Sequence, residues 1–307
     1  MRISICIPTY KRPLLLKECL DSVLKQQLDD FEILIGDDSP DDQTEKIVQS
    51  YFRNHPQMSV HYFHNIPSLG QAENIHMLFE KSAGDVVSLI HDDDMYCDGA
   101  LRLLSSYFND PTIAVAFGKQ MIADESGVPD TLRSEKLNRG FYRMTANAGV
   151  QEDFLQSALV QQFPNDGFLM RAEVTKLVGY VDAGRLMGDA CDFGFGILCA
   201  LAFPNLKCMF VDSFTAIYRE GKESVGRRNA KNDAAYRAFK YVSGLHRDIT
   251  EKPIMTKWLR EKAPVAIAQA IALGHRKEAL GIYFSKWHLP RIVTPGGIKR
   301  ALLLVWP

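Results

Sequence analysis

The sequence predicts an α/β protein: a mostly parallel β-sheet with helices on both faces, followed by a helical C-terminal extension. Three observations carry this. Over the first 120 residues, strand-like and helix-like signals alternate, the rhythm of parallel strands joined by helical crossovers. Three of those strands run into polar, carboxylate-bearing turns. Beyond residue 220 the chain is helix-rich and basic.

The elements follow in order. Ile3-Ser4-Ile5-Cys6-Ile7 alternates apolar and polar residues and is stopped by Pro8. Leu16, Cys19, Leu20, Val23 and Leu24 repeat at helical spacing, with Pro13 placed for a helix start. Phe31–Gly36 is a short apolar run ending in Asp37-Asp38-Ser39-Pro40. Ile47, Val48, Tyr51 and Phe52 mark a second helix, and Val60–Phe63 a third strand. Ile75, Leu78 and Phe79 mark a third helix closed by Gly84. Asp85–Ile90 is a buried strand that runs into His91-Asp92-Asp93-Asp94. Ala100, Leu101, Leu104 and Phe108 mark a fourth helix, and Ile113–Phe117 a fifth strand. Residues 120–165 read as polar and irregular. Apolar patterning resumes over 166–220, around Asp189 and Asp192.

Composition excludes several classes. With 46% hydrophobic and 24% charged residues in 307, the chain is neither disordered nor a disulfide scaffold. The six cysteines form no C-x-x-C pair, several fall inside apolar runs as small buried hydrophobes, and they read as reduced and cytosolic. The N-terminus lacks a signal-peptide layout, and the longest apolar stretch, Phe193–Leu206, is broken by Pro204, so no transmembrane segment is expected. No G-x-x-x-x-G-K-[ST], G-x-G-x-x-G or G-x-S-x-G stands where a P-loop, dinucleotide fold or hydrolase elbow needs it. The near-zero net charge hides a division: residues 1–218 hold 18 Lys+Arg against 30 Asp+Glu, and residues 219–307 hold 18 against 7.

In an open parallel sheet, ligands bind beyond the carboxyl ends of the strands. Pro8-Thr9-Tyr10, Asp37-Asp38 and Asp92-Asp93-Asp94 should therefore meet at one edge. Three adjacent carboxylates repel one another unless a cation is present, and carboxylates suit hard divalent metals. The competing reading of Asp92–Asp94 is a solvated turn capping the next helix. Asp37-Asp38-Ser39 is either a turn or a group accepting hydrogen bonds from a base or ribose, and Tyr10 is either partly buried surface or a stacking platform. Asp189 and Asp192, three apart, share a face if helical, and are either caps or working carboxylates.

Taken together these residues resemble the inverting family 2 glycosyltransferases with the Rossmann-like GT-A fold. The resemblance rests on Ile3–Pro13, Glu18–Gln27, Phe31–Ser39, Asn65, Gly70, Asn74, Gly84-Asp85 and Asp92-Asp93-Asp94, and covers roughly residues 1–220. It implies a nucleotide-sugar-binding half over 1–120, an acceptor half over 121–220 and a basic helical extension over 221–307. Pro8, Thr9, Tyr10, Arg12, Asp37, Asp38, Asn74, Asp92 and Arg219 would bind the nucleotide-sugar, with Tyr10 flanking the base and Asp38 hydrogen-bonding it. Asp93 and Asp94 would hold Mn²⁺ or Mg²⁺ at the diphosphate. Asp192 would be the catalytic base, with Asp189 the runner-up. Tyr218-Arg219 matches a late pair before a loop, Glu220–Arg228, whose Arg227 and Arg228 would close on the phosphates. Three positions depart from the family pattern: His91 replaces the first Asp of the D-x-D, Glu73 an Arg, and Cys191 the acidic residue before the base.

The resemblance implies transfer of a sugar, from a UDP-sugar by preference, to a hydroxyl of a glycan or lipid-linked acceptor with inversion. A sugar nucleotidyltransferase and a non-catalytic nucleotide- or glycan-binding protein on the same fold are the alternatives. The basic tail carries no nucleic-acid motif. It reads as a solvated helical face or as a peripheral membrane contact, since Trp287, Ile292, Ile298, Leu302–Trp306 mix with Lys286, Arg291, Lys299 and Arg300.

Overall fold

A computed structural model describes residues 1–220 and 233–305, with only the backbone of Asp189. The described residues fall into two compact units. The first comprises Met1–Val181 and 195–220, the second Asp182–Gly194 and 233–305.

The first unit is an α/β sheet structure. Its 10 strands include a main path in the order β3-β2-β1-β4-β9-β6-β10-β5. Strands β1 (Ile3–Thr9), β2 (Phe31–Asp37), β3 (Val60–His64) and β4 (Val86–Leu89) pair in parallel. Helices α1 (Pro13–Leu24), α2 (Gln43–Arg53) and α3 (Gln71–Lys81) make the crossovers. The long strands β6 (Ile113–Ala123) and β10 (Lys207–Arg219) are also parallel to each other. Short antiparallel strands complete the sheet: β5 (Met95–Tyr96) and β8 (Gly149–Gln151) on β10, β7 (Pro129–Asp130) on β6, and β9 (Leu169–Arg171) between β4 and β6.

Alternation builds the core. Ile3, Ile5 and Ile7 of β1 join Ile33 and Ile35 of β2 against Leu16, Cys19, Leu20 and Val23 of α1 and Val48 and Tyr51 of α2. Helix α3 lies against β1 and β2, and its Phe79 packs with Tyr180 and Phe195. Each fully buried Leu, Ile or Phe contributes about 1.5–3 kcal/mol relative to exposure. The six cysteines are free, and five are buried.

Residues 120–165 are not irregular as the pattern suggested. They carry the end of β6, helix α5 (Thr131–Gly140) and helix α6 (Phe154–Leu159). Helix α5 escapes an apolar-periodicity reading because its buried residues are Ser134 and Asn138. They dock through hydrogen bonds. Asn138 Oδ1 accepts from Gln120 N–H at 3.0 Å, Asn138 Nδ2 donates to Gln120 C=O at 2.7 Å, and Ser134 Oγ accepts from Ile122 N–H at 2.8 Å. Asp130 caps the helix by accepting from Arg133 N–H.

The second unit contains helices Ala234–Ser243, Pro253–Ala272, Arg276–Tyr283 and Pro295–Val305. Phe193 stacks on Trp258 within it, ring centroids 5.4 Å apart. No helix among the described residues is long and apolar enough to cross a membrane.

Candidate active site

The polar turns after β1, β2 and β4 are tied to one another by hydrogen bonds. Thr9 Oγ1 donates to Asp92 at 2.8 Å, and Tyr10 N–H donates to the same oxygen at 3.3 Å. Arg12 spans two carboxylates, with Nη1 3.2 Å from Asp92 and 2.6 Å from Asp93. Lys11 N–H donates to Ser39 Oγ, linking the first turn to the second. Tyr10 presents its ring to solvent, 51% exposed, with the Lys11 ammonium 5.0 Å from its centroid. Pro8 is buried in β1, in register with Gly36 of β2.

Burial, with the neighbouring Asp93 charge, pushes the Asp92 carboxyl up to about 6, against the opposing pull of Arg12 and Thr9.

Asp37 and Asp38 divide their tasks. Asp37 accepts from Tyr62 OH at 2.6 Å and from Ser39 N–H at 2.8 Å. Asp38 accepts from Asn65 Nδ2, Leu69 N–H and Gly70 N–H at 2.9, 3.2 and 2.8 Å, so it holds the 65–70 turn that opens α3. Asn74 donates to Gly36 C=O at 2.8 Å. That approach requires glycine, because a Cβ at position 36 would lie 2.0 Å from Asn74 Oδ1. Asp37, Asp38 and Asn74, read from sequence as nucleotide contacts, therefore also fix the strand-to-helix connections around the site.

A second acidic group lies next to the first. His91, Asp94 and Asp166 each offer a ligand atom, all within 4.8 Å of one another. Asp94 and Asp166 share a hydrogen bond, and burial and the Asp166 charge push the Asp94 carboxyl well above its usual range. Asp94 also accepts from Arg219 N–H at 2.8 Å. Two buried carboxylates this close are tolerable with a proton or a cation between them. An imidazole with two carboxylates is a donor set that suits Mn²⁺ better than Mg²⁺. Asp93, the other metal candidate from sequence, lies outside this trio and faces Arg12.

Asp166 was not singled out by sequence. Its signal is the Asn165-Asp166-Gly167 turn before β9. Gly167 has φ +69°, and a Cβ there would stand 2.4 Å from Ala216 Cβ. Its N–H donates to Leu89 C=O, pinning the turn to the end of β4. Behind Asp166, Gln120 Nε2 donates to its Oδ1 at 3.1 Å, and Arg143 Nη1 donates to Gln120 Oε1 at 2.9 Å. Burial lowers the Arg143 guanidinium to about 9.

Arg219, at the end of β10, is buried and pairs with Glu18 of α1. Residues 221–228 of the expected loop, with Arg227 and Arg228, lie outside the described residues. Asp192 stands in the first turn of α9 (Cys191–Ala202) and belongs to the second unit. Asp189 lies in the single 3₁₀ turn Gly188–Ala190 before it.

Residues 4–176 match the family model for glycosyl transferase family 2. The chain belongs to that family. The family match runs from β1 into helix α7 (Ala172–Leu177) and so includes every strand-end turn described above; Asp192 and Arg219 lie beyond it. A Campylobacter jejuni relative, GalNAc(5)-diNAcBac-PP-undecaprenol beta-1,3-glucosyltransferase, is 26% identical over 45% of this chain and 44% of its own length. This family 2 chain spans 37 to 44% of the first curated relatives it matches. The crystal structure of residues 1–349 of Staphylococcus aureus TarS with UDP-GlcNAc is 14% identical, with TM-score 0.60, covering 99% of this chain and 81% of that one. A Pyrobaculum calidifontis mannosyltransferase structure with GDP-Man and Mn²⁺ is 13% identical, with TM-score 0.53, covering 99% and 87%. At these identities the likeness establishes the GT-A fold.

Proposed function

We propose that this chain transfers a sugar from a UDP-sugar to a hydroxyl of a surface-glycan or lipid-linked acceptor, with inversion at the anomeric carbon. The observation that carries the reading is the linkage of the three strand-end turns, through Thr9, Arg12, Ser39 and Asp92, inside a family 2 match. The names of the relatives, which include a glucosyltransferase for an undecaprenol-linked glycan, support a surface-glycan acceptor. A UDP-GlcNAc complex on the same fold supports the donor class.

In this reading Tyr10 offers its exposed ring to the base, and Pro8 and Thr9 shape that wall. Asp38 Oδ2, which takes one backbone donor, has acceptor capacity left for a base N–H. Asp92 serves the ribose, while Asn74 and Asp37 hold the turns that frame it. Arg12 and Arg219 meet the diphosphate charge. A divalent cation held by Asp94, with Asp93 or with His91 and Asp166, would act as a Lewis acid on the leaving diphosphate. Asp192 removes the proton of the acceptor hydroxyl as it attacks, a contribution of about 10²–10⁴-fold. One displacement inverts the anomeric centre. Peripheral contact with a membrane through the basic C-terminal residues would bring the enzyme to a lipid-linked acceptor.

The test is Asp192→Asn. Turnover of the UDP-sugar should fall about 10²–10⁴-fold, while UDP binding stays within about twofold of the parent. Undiminished turnover would remove Asp192 from the role and transfer it to Asp189. Retained binding with no turnover in the parent protein against any donor would favour a non-catalytic binding protein.

A further inference from the structure

We infer that the helix Pro295–Val305 and the turn leading into it form a docking surface for an anionic lipid bilayer. The inference rests on the membrane contact proposed above and names its surface and its lipid chemistry.

The helix carries two apolar stripes. One faces its own unit: Gly297 and Leu304 are buried, with Arg300 and Ala301 half-buried between them. Packing there is close, since a Cβ on Gly297 would stand 2.0 Å from Arg291 C=O, and Tyr283 OH donates to Gly297 C=O at 3.2 Å. The other stripe, Ile298, Leu302 and Val305 at i, i+4 and i+7, is 54%, 64% and 78% exposed. In the turn before it, Val293 is 84% and Leu289 55% exposed. Single exposed apolar residues need no explanation, but a helical stripe of them is an interaction face.

Charge selects the occupant. From Ala279 to Val305 there is no Asp or Glu, whereas Lys286, Arg291, Lys299 and Arg300 are present. Lys286 pairs with Glu251, and Arg300 donates to His288. Lys299 and Arg291 are exposed. A second copy meeting this face about a two-fold axis would set cation against cation. An anionic headgroup layer over an acyl boundary satisfies both the cations and the apolar stripe. With 11 residues the helix is too short to span a bilayer and would lie in its surface. Trp287, grouped with the interfacial residues by sequence, is buried beneath Lys286 and is not part of this face; Trp306 lies outside the described residues.

Vesicle co-sedimentation of the full chain tests this, with phosphatidylcholine alone and phosphatidylcholine mixed with phosphatidylglycerol. The parent should bind the mixed vesicles and not the neutral ones, and added salt should weaken binding. The triple variant Ile298→Ser, Leu302→Ser, Val305→Ser should lose about tenfold or more in partitioning, and Lys299→Glu should lose binding without loss of fold. All four side chains are exposed, so circular dichroism should be unchanged. UDP binding, measured on the same samples, should also be unchanged, which separates failure of this surface from failure of the donor site. Absent binding of the parent to anionic vesicles, or equal binding by the triple variant, would overturn the inference. A parent dimer that the triple variant dissociates would overturn it in favour of a second copy.

Discussion

Arg12 and the carboxylates it spans show how the site handles its own charge. Asp92 is nearly solvent-free, beside Asp93, and its partial relief comes from Arg12 and Thr9. Its carboxyl is raised above the unfolded value, so folding favours the protonated form. The stability this contributes is complete below about pH 4 and is lost as pH rises through about 6. In chelator-treated protein, Asp92→Asn should therefore gain on the parent by up to about 3 kcal/mol between pH 4 and pH 7, at 1.36 kcal/mol per unit of pKa. Urea unfolding across that range measures it, and a pH-independent difference would contradict the assignment. Asp92, Asp93 and Asp94 were legible as a cluster because adjacent carboxylates after a buried strand are conspicuous. Asp166 was not, because a lone Asp before Gly reads as a turn, and its partners stand at positions 91, 94 and 120.

At the scale of elements, helix α5 is the instructive case. Asn138 completes both backbone hydrogen bonds of Gln120, as a neighbouring strand would. The Gln120 side chain in turn reaches Asp166, so a polar helix supports the back wall of the acidic group. Asn138→Leu should leave a buried N–H and C=O without partners and cost about 2–4 kcal/mol; a loss below about 0.5 kcal/mol in chemical denaturation would contradict this role. The helix was invisible to apolar periodicity because its contacts are amide and hydroxyl. Strands β1 to β4 and helices α1 to α3 between them were legible because apolar residues recur at strand or helix spacing in each. Strands β5 and β9, two and three residues long, are too short to show any period. The turns at Asp37-Asp38 and Asp92–Asp94 were legible as a converging edge because parallel connectivity alone brings strand ends together.

At the scale of the molecule, the division of charge is the leading feature. The acidic residues before position 218 include the clustered carboxylates of the strand-end turns, which favour cations. The basic residues after it include Lys299 and Arg300 of the last helix. A nucleoside diphosphate is an anion, and an acidic site accepts it well only with Arg12, Arg219 and a divalent ion to offset the charge. Donor binding should therefore depend on metal. The most direct measurement is thermal unfolding of the full chain with UDP, in Mn²⁺ and in excess chelator. UDP at about 100 times its dissociation constant should stabilise the fold by about 2.7 kcal/mol in Mn²⁺ and far less in chelator. No shift with UDP or any other nucleoside diphosphate, in a folded sample containing Mn²⁺, would contradict the donor site assigned to these strand ends.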